Sequence, residues 1–251
     1  MSIGILDSGI GGLTVLKEAV KLLPGEDFLY YADTKHVPYG TKPKDEVIGY
    51  IFNAVDFFAD QGVEALVVAC NTATSIAIND LRKKYSFPII GMEPAVKPAV
   101  EKADDRRVLV LATPITVREK KLHDLVIRLD SEQTVDLLAL PGLVELAENF
   151  IFDEETVIQY LLDELSGFNL KEYGAVVLGC THFVFYRKHF IRVLPHEVEI
   201  IDGNIGTVKR LKALLESRGF DYSRKGSLEF YCSGEKEIDE SKYRRYLELE
   251  Y

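Results

Sequence analysis

Short apolar runs and longer amphipathic stretches alternate along this chain. The runs at 3–6, 28–32 and 65–69 are followed by helical patterns at 13–23, 44–61 and 72–85. Brief apolar runs bounded by turn residues fit strands buried on both faces, and apolar positions three and four apart fit helices laid against them. A second series begins near residue 107, with strands predicted at 108–111, 135–140, 175–178 and 199–201 and helices at 116–129, 142–150, 154–167 and 183–193. This βαβ rhythm predicts an α/β protein.

The two series run in parallel. In the first, a strand ends at Asp7-Ser8 and Cys70 follows Asp7 by 63 residues; in the second, a strand ends at Thr113 and Cys180 follows it by 67. The pattern predicts two pseudo-symmetric lobes, each a mainly parallel sheet flanked by helices, with a site in the cleft between them. Pro94 and Pro98 stiffen a crossing at 88–100, and a return crossing is expected at 203–206. A helix at 207–219, apolar at Val208, Leu211, Leu214 and Leu215, is expected to pack back on the first lobe. The expected domains are therefore 1–96 with 207–251, and 97–206. The tail from 221 onward is charged, with a strand at 227–232.

Length and composition narrow the classes. At 251 residues and 47% hydrophobic, the chain can bury a full core. Thirty Lys and Arg stand against 40 Asp and Glu, a net charge of −10 that argues against nucleic acid as a partner but not against a small anionic ligand. No apolar run is long enough to span a bilayer and the N-terminus lacks the pattern of a signal peptide, so no membrane partner and a cytoplasmic location are expected. Three cysteines without a CxxC pair favour free thiols over disulfides or zinc.

Two of those thiols carry the chemistry. ALVVACNTATS and AVVLGCTHFV each run from an apolar strand into Cys70 or Cys180 and then into hydroxyl or amide residues. Strand ends are where open α/β sheets place reactive groups. A thiol, with a reference pKa of about 8.5, is expected to be lowered at Cys70 by the helix start at Asn71, Thr72 and Thr74. Cys180 has Thr181 and His182 in the equivalent place, a proton partner two residues on. Either cysteine alone is as well read as a small buried hydrophobe; their pairing favours chemistry. Cys232 reads as structural. In DSGIGGL, Asp7 and Ser8 either cap the following helix or face a ligand, and the glycines allow a ligand close approach; the spacing is not that of a nucleotide loop. Pro38, Tyr39 and Gly40 read as a turn, Thr113 and Thr116 as helix caps or cleft hydroxyls, and Glu148 as a solvated helix residue.

DSGIGGL, YADTKHVPYG, ACNTATS, GMEPA, ATPIT and GCTHF, in this order, resemble the glutamate racemases of the cofactor-independent aspartate/glutamate racemase superfamily, over residues 4–206. The resemblance implies two lobes around a glutamate-binding cleft, frequent homodimers, no cofactor or metal, and a supply of D-glutamate for peptidoglycan. Cys70 and Cys180 then stand for the catalytic thiols, Cys70 serving D-glutamate and Cys180 L-glutamate, with Asp7 and His182 as assisting acid/base residues. Asp7, Ser8, Pro38, Tyr39, Gly40, Asn71, Thr72, Thr113, Thr116, Thr181 and His182 stand for the substrate-binding set. Glu148 falls where the family often has an auxiliary glutamate, although ALPGLVEL precedes it here in place of the more usual ACPLFVPL. The alternatives are a racemase of aspartate or another amino acid, a relative acting on maleate or a hydantoin, and a non-catalytic binding protein. A metal site from Cys70, Cys180 and His182 has no supporting ligand spacing.

Overall fold

The computed structural model describes residues 2–129, 134–216, 219 and 224–251. In chain order the first half runs β1 (Ser2–Asp7), α1 (Leu13–Leu22), β2 (Asp27–Ala32), α2 (Lys44–Asp60), β3 (Ala65–Val68), α3 (Asn71–Lys84), β4 (Ile89–Gly91) and α4 (Val96–Lys102). The second runs β5 (Arg107–Ala112), α5 (Pro114–Arg118), α6 (Lys120–Leu129), β6 (Val135–Ala139), α7 (Pro141–Glu148), α8 (Glu154–Leu165), β7 (Tyr173–Leu178), α9 (Arg187–Val193) and β8 (Glu199–Asp202). The chain then returns through α10 (Asn204–Leu215), β9 (Leu228–Cys232), β10 (Glu235–Lys236) and α11 (Ser241–Glu248).

Among the described residues one sheet has the order β10-β9-β2-β1-β3-β4 and the other β6-β5-β7-β8. Apart from the antiparallel β9–β10 pair, every pairing is parallel. The order 2-1-3-4 recurs as 6-5-7-8, so β1 corresponds to β5 and β3 to β7. In both sheets the order reverses between those two strands, and a crevice opens beyond their carboxyl ends. The repeated order of events in the sequence is thus a repeated topology.

Alternation within the strands sorts their side chains into layers. Ile3, Ile5, Tyr30 and Val67 from one sheet share a single core with Leu109, Leu111, Val176 and Leu178 from the other. Leu6, Leu29, Leu66 and Val68 face α2 and α3 in a second core, and Val108, Val110, Ala175 and Val177 face α4 and α6 in a third. Helix α10 packs on α1, carrying Val208, Leu211 and Leu215 into the shared core.

Four local expectations change. The helix expected at 116–129 starts earlier, at Pro114, and breaks where Glu119 adopts an extended backbone with ψ 131°, giving α5 and α6. The stretch 183–193 becomes a 3-10 turn at Thr181–Tyr186 followed by α9. The crossing at 88–100 contains β4 and α4, the latter tolerating Pro98 in its first turns. The charged tail contains α11, which is too polar overall to stand out but buries Tyr243 and Tyr246. Residues 217 and 218 of the expected 207–219 helix, and 221–223 of the tail, lie outside the described residues.

Candidate active site

Equivalent strands deliver the site. Asp7 ends β1, Cys70 follows β3, Thr113 follows β5 and Cys180 follows β7. Both thiols line one small cavity with Ser8, Pro38, Tyr39, Gly40, Thr72, Thr113, Thr181 and His182. Its wall also includes Thr41, Pro114, Pro141 and Val144, which sequence reasoning missed. Pro141 and Val144 follow β6, so the same strand-end rule extended to the outer strands finds them.

Cys70 is the N-cap of α3: the Ala73 N–H donates to its Sγ at 3.5 Å, and Sγ lies 3.8 Å from Ser8 Oγ. The expected lowering of this thiol is not what the site produces. Burial first, and then the charge of Asp7, push Cys70 up to about 12 despite the Ala73 donor. Cys70 therefore rests as a protonated thiol.

Cys180 has a different partner. Its Sγ lies 3.8 Å from His182 Nδ1, and His182 Nε2 lies 2.7 Å from Glu148 Oε1. Burial alone favours a neutral imidazole, but Cys180 and Glu148 together outweigh it and hold His182 well above its ordinary value. Burial likewise works against an ionised Glu148, yet His182 and the Ile10 N–H, donating to Oε1 at 2.9 Å, hold it below its ordinary value. Glu148 is no solvated helix residue: it ends α7, largely buried, and forms an ion pair with the fully buried His182.

Asp7 is fully buried, accepting from the Gly9 N–H at 3.0 Å and from the Thr181 hydroxyl at 3.0 Å. It does not cap α1, whose N-cap is Gly12. Burial raises Asp7 to about 6, with His182 pulling the other way. The glycines of DSGIGGL make room for neighbouring side chains more than for a ligand. A Cβ on Gly9 would sit 1.8 Å from Glu148 Oε1, and one on Gly11 2.4 Å from both His182 Nδ1 and Thr181 Oγ1.

The two sheets meet over the cavity through hydroxyls. Thr72 Oγ1 lies 2.8 Å from Thr113 Oγ1, and Thr116 Oγ1 completes the cluster at 3.0 Å from Thr113. Thr116 sits behind Thr113 and does not line the cavity, because its side chain points back into this cluster. The side chain of Asn71 is also directed away: its Nδ2 donates to the Met92 carbonyl at 3.0 Å, and Thr72 is the residue of the first turn of α3 that lines the cavity. The Pro38-Tyr39-Gly40 turn is held by Asp33, another residue not singled out from the sequence. Asp33 accepts from the Tyr39 hydroxyl at 2.6 Å and from Ser233 Oγ at 2.9 Å. Cys232 lies outside the cavity, 2.7 Å from Thr34 Oγ1.

The arrangement puts two dissimilar thiols on one small cavity, one beside a carboxylate and the other beside a cationic imidazole. Among the described residues no group of three or more His, Cys, Asp and Glu is arranged to hold a metal ion, and no helix is long and apolar enough to cross a membrane.

Residues 14–211 match the family described as Asp/Glu/Hydantoin racemase. The chain is 61% identical to a glutamate racemase of Halothermothrix orenii, covering 99% of this chain and 98% of that one. Among solved structures it is similar to glutamate racemase isoform RacE1 of Bacillus anthracis, with TM-score 0.86, 30% identity and coverage of 98% and 93%. It is also similar to Escherichia coli glutamate racemase solved with L-glutamate and an activator, with TM-score 0.79, 31% identity and coverage of 86% and 82%.

Proposed function

The chain belongs to the Asp/Glu/hydantoin racemase family, and from that premise we propose that it interconverts L- and D-glutamate by moving a proton between Cys70 and Cys180 across the α-carbon. The observation that carries this reading is the pair of thiols at equivalent strand ends of the two sheets, opening on one cavity.

Inverting a stereocentre without a cofactor requires a base on one face and an acid on the other. With L-glutamate, the Cys180 thiolate takes the α-hydrogen: the C–H bond breaks and an S–H bond forms. Cys70, resting as a thiol, gives its proton to the opposite face and is left as thiolate. With D-glutamate the roles reverse. After turnover of L-glutamate Cys180 holds a proton and Cys70 is a thiolate, so the cycle resets when Cys180 gives up its proton and Cys70 regains one; His182 stands beside the first thiol as its proton partner and Asp7 is the acid/base group near the second. The α-carbanion is the hard step, because the substrate already carries two carboxylates. The N–H groups at the start of α3, which have no intrahelical acceptor, and the hydroxyls of Ser8, Thr72, Thr113 and Thr181 are fixed donors in a poorly hydrated space.

In this reading the binding set is Ser8, Pro38-Tyr39-Gly40, Thr72, Thr113, Thr181 and His182. The two domains of this reading are 1–96 with 207–251, and 97–206. The protein works as a cytoplasmic homodimer that supplies D-glutamate for peptidoglycan. Following the circular dichroism of L- and D-glutamate and of L- and D-aspartate separately, without pyridoxal phosphate, tests it. Decay of both glutamate signals alone supports it; an enzyme that leaves glutamate unchanged, or racemises aspartate instead, defeats it.

A further inference from the structure

The helix hidden in the charged tail reaches the proton relay of Cys180. Tyr243 and Tyr246, three apart on one face of α11, are both buried. The Tyr246 hydroxyl donates to the Ala147 carbonyl at 2.7 Å and approaches that of Glu148 at 3.4 Å. Both carbonyls lie at the C-terminal end of α7; that of Ala147 also accepts from the Phe150 N–H at 3.0 Å, so the Tyr246 hydroxyl is a second donor that ties the helix end to α11.

The backbone just beyond is unusual. Phe150 adopts φ 58°, a left-handed conformation that a bulky aromatic residue rarely takes and that glycine usually supplies after a helix. It is gripped from α11: the Arg245 guanidinium lies 3.4 Å from the ring centroid, and the Tyr246 ring meets it edge-on at 4.9 Å. Tyr243 makes the complementary contact on the other side of the relay. It packs edge-on against Tyr30, whose hydroxyl donates at 2.6 Å to the carbonyl of Gly9. The next residue, Ile10, gives Glu148 its backbone hydrogen bond. One helix face thus fixes both ends of the Glu148 contact.

We propose that Tyr246 is a positioning residue for the Cys180 half of the reaction: by capping α7 it fixes Glu148, and through Glu148 the imidazole of His182. This rests on the two-thiol reading above.

The test is Tyr246→Phe, which keeps the ring packing and removes only the hydroxyl. Because the L/D equilibrium constant is unity, kcat/KM must fall equally in both directions, here by about threefold to tenfold, the rate equivalent of one net hydrogen bond. The isotope effects separate the halves. If Cys180 transfer is slowed, the primary effect on kcat/KM with 2-deutero-L-glutamate rises, while that with 2-deutero-D-glutamate falls toward one. Combining Tyr246→Phe with Glu148→Gln should cost no more than Glu148→Gln alone, since Tyr246 acts through Glu148. Unchanged isotope effects, a rate equal to wild type, or additive losses in the double variant overturn the proposal. A Cys180→Ala enzyme that still racemises glutamate overturns the two-thiol reading instead, so the two failures are distinct.

Discussion

Gly9→Ala tests whether the glycine turn exists to admit Glu148. The backbone at Gly9 is not left-handed, so alanine is conformationally allowed and only space opposes it. The added methyl carbon would lie 1.8 Å from Glu148 Oε1, 2.7 Å from its carboxyl carbon and 3.0 Å from Val37 Cγ2. Glu148 is the softest of these, and it must swing away. It then gives up the Ile10 N–H at 2.9 Å and His182 Nε2 at 2.7 Å. Stripping a buried ion pair of one partner costs about 3–5 kcal/mol. At the lower figure a chain of this length loses roughly 6–12 °C in melting temperature. The same ~3 kcal/mol felt at the transition state is a rate loss of about 10²-fold. Thermal melting and the circular-dichroism rate assay are run on Gly9→Ala, Glu148→Ala and the double variant. Removing Glu148 should relieve the clash, so the double variant should melt close to Glu148→Ala and show its activity. A Gly9→Ala enzyme that melts and turns over like wild type would refute the steric reasoning.

Asp7→Asn should separate stability from activity. Burial raises Asp7 from 3.8 to about 6, so the fold favours the protonated carboxyl; its contribution is full below about pH 4 and lost as pH rises through 6. The amide variant escapes that loss and should gain on the order of 3 kcal/mol over wild type at pH 8, while its turnover drops. Melting curves from pH 4 to 8 that never diverge would count against a raised Asp7. Gly40→Ala places a methyl carbon 2.5 Å from Thr113 Cβ, which no side-chain rotation relieves. The turn must withdraw from the second sheet, raising KM for glutamate by about tenfold; an unchanged KM would show that Gly40 does not set this closure.

Much of this was legible in the chain because parallel strands buried on both faces read as unbroken apolar runs, and their ends mark the crevice. Asp7, Cys70, Thr113 and Cys180 were found in that way, and the matching strand orders confirm that the two series repeat one topology. What could not be read was contact at long range. Glu148 looks like any helix glutamate until it meets His182, 34 residues away. Asp33 follows β2 at a strand end and lies within the YADTKHVPYG motif, but its bond to the Tyr39 hydroxyl is a matter of the folded turn. Helix α11 was hidden because just two aromatic residues of a charged stretch face inward. The ionisation of Cys70 went against expectation since burial and the charge of Asp7 act together on it, and one helix-start donor does not offset both.

The division of labour between the thiols is best tried by hydrogen exchange. Cys70→Ala and Cys180→Ala are each incubated with L- or D-glutamate in deuterium oxide, and the α-hydrogen is followed by proton NMR. Cys70→Ala should exchange the α-hydrogen of L-glutamate and leave D-glutamate untouched; Cys180→Ala should do the reverse, and neither should interconvert the enantiomers. Either variant racemising glutamate, or exchanging both enantiomers through its one remaining thiol, would contradict two thiols working from opposite faces.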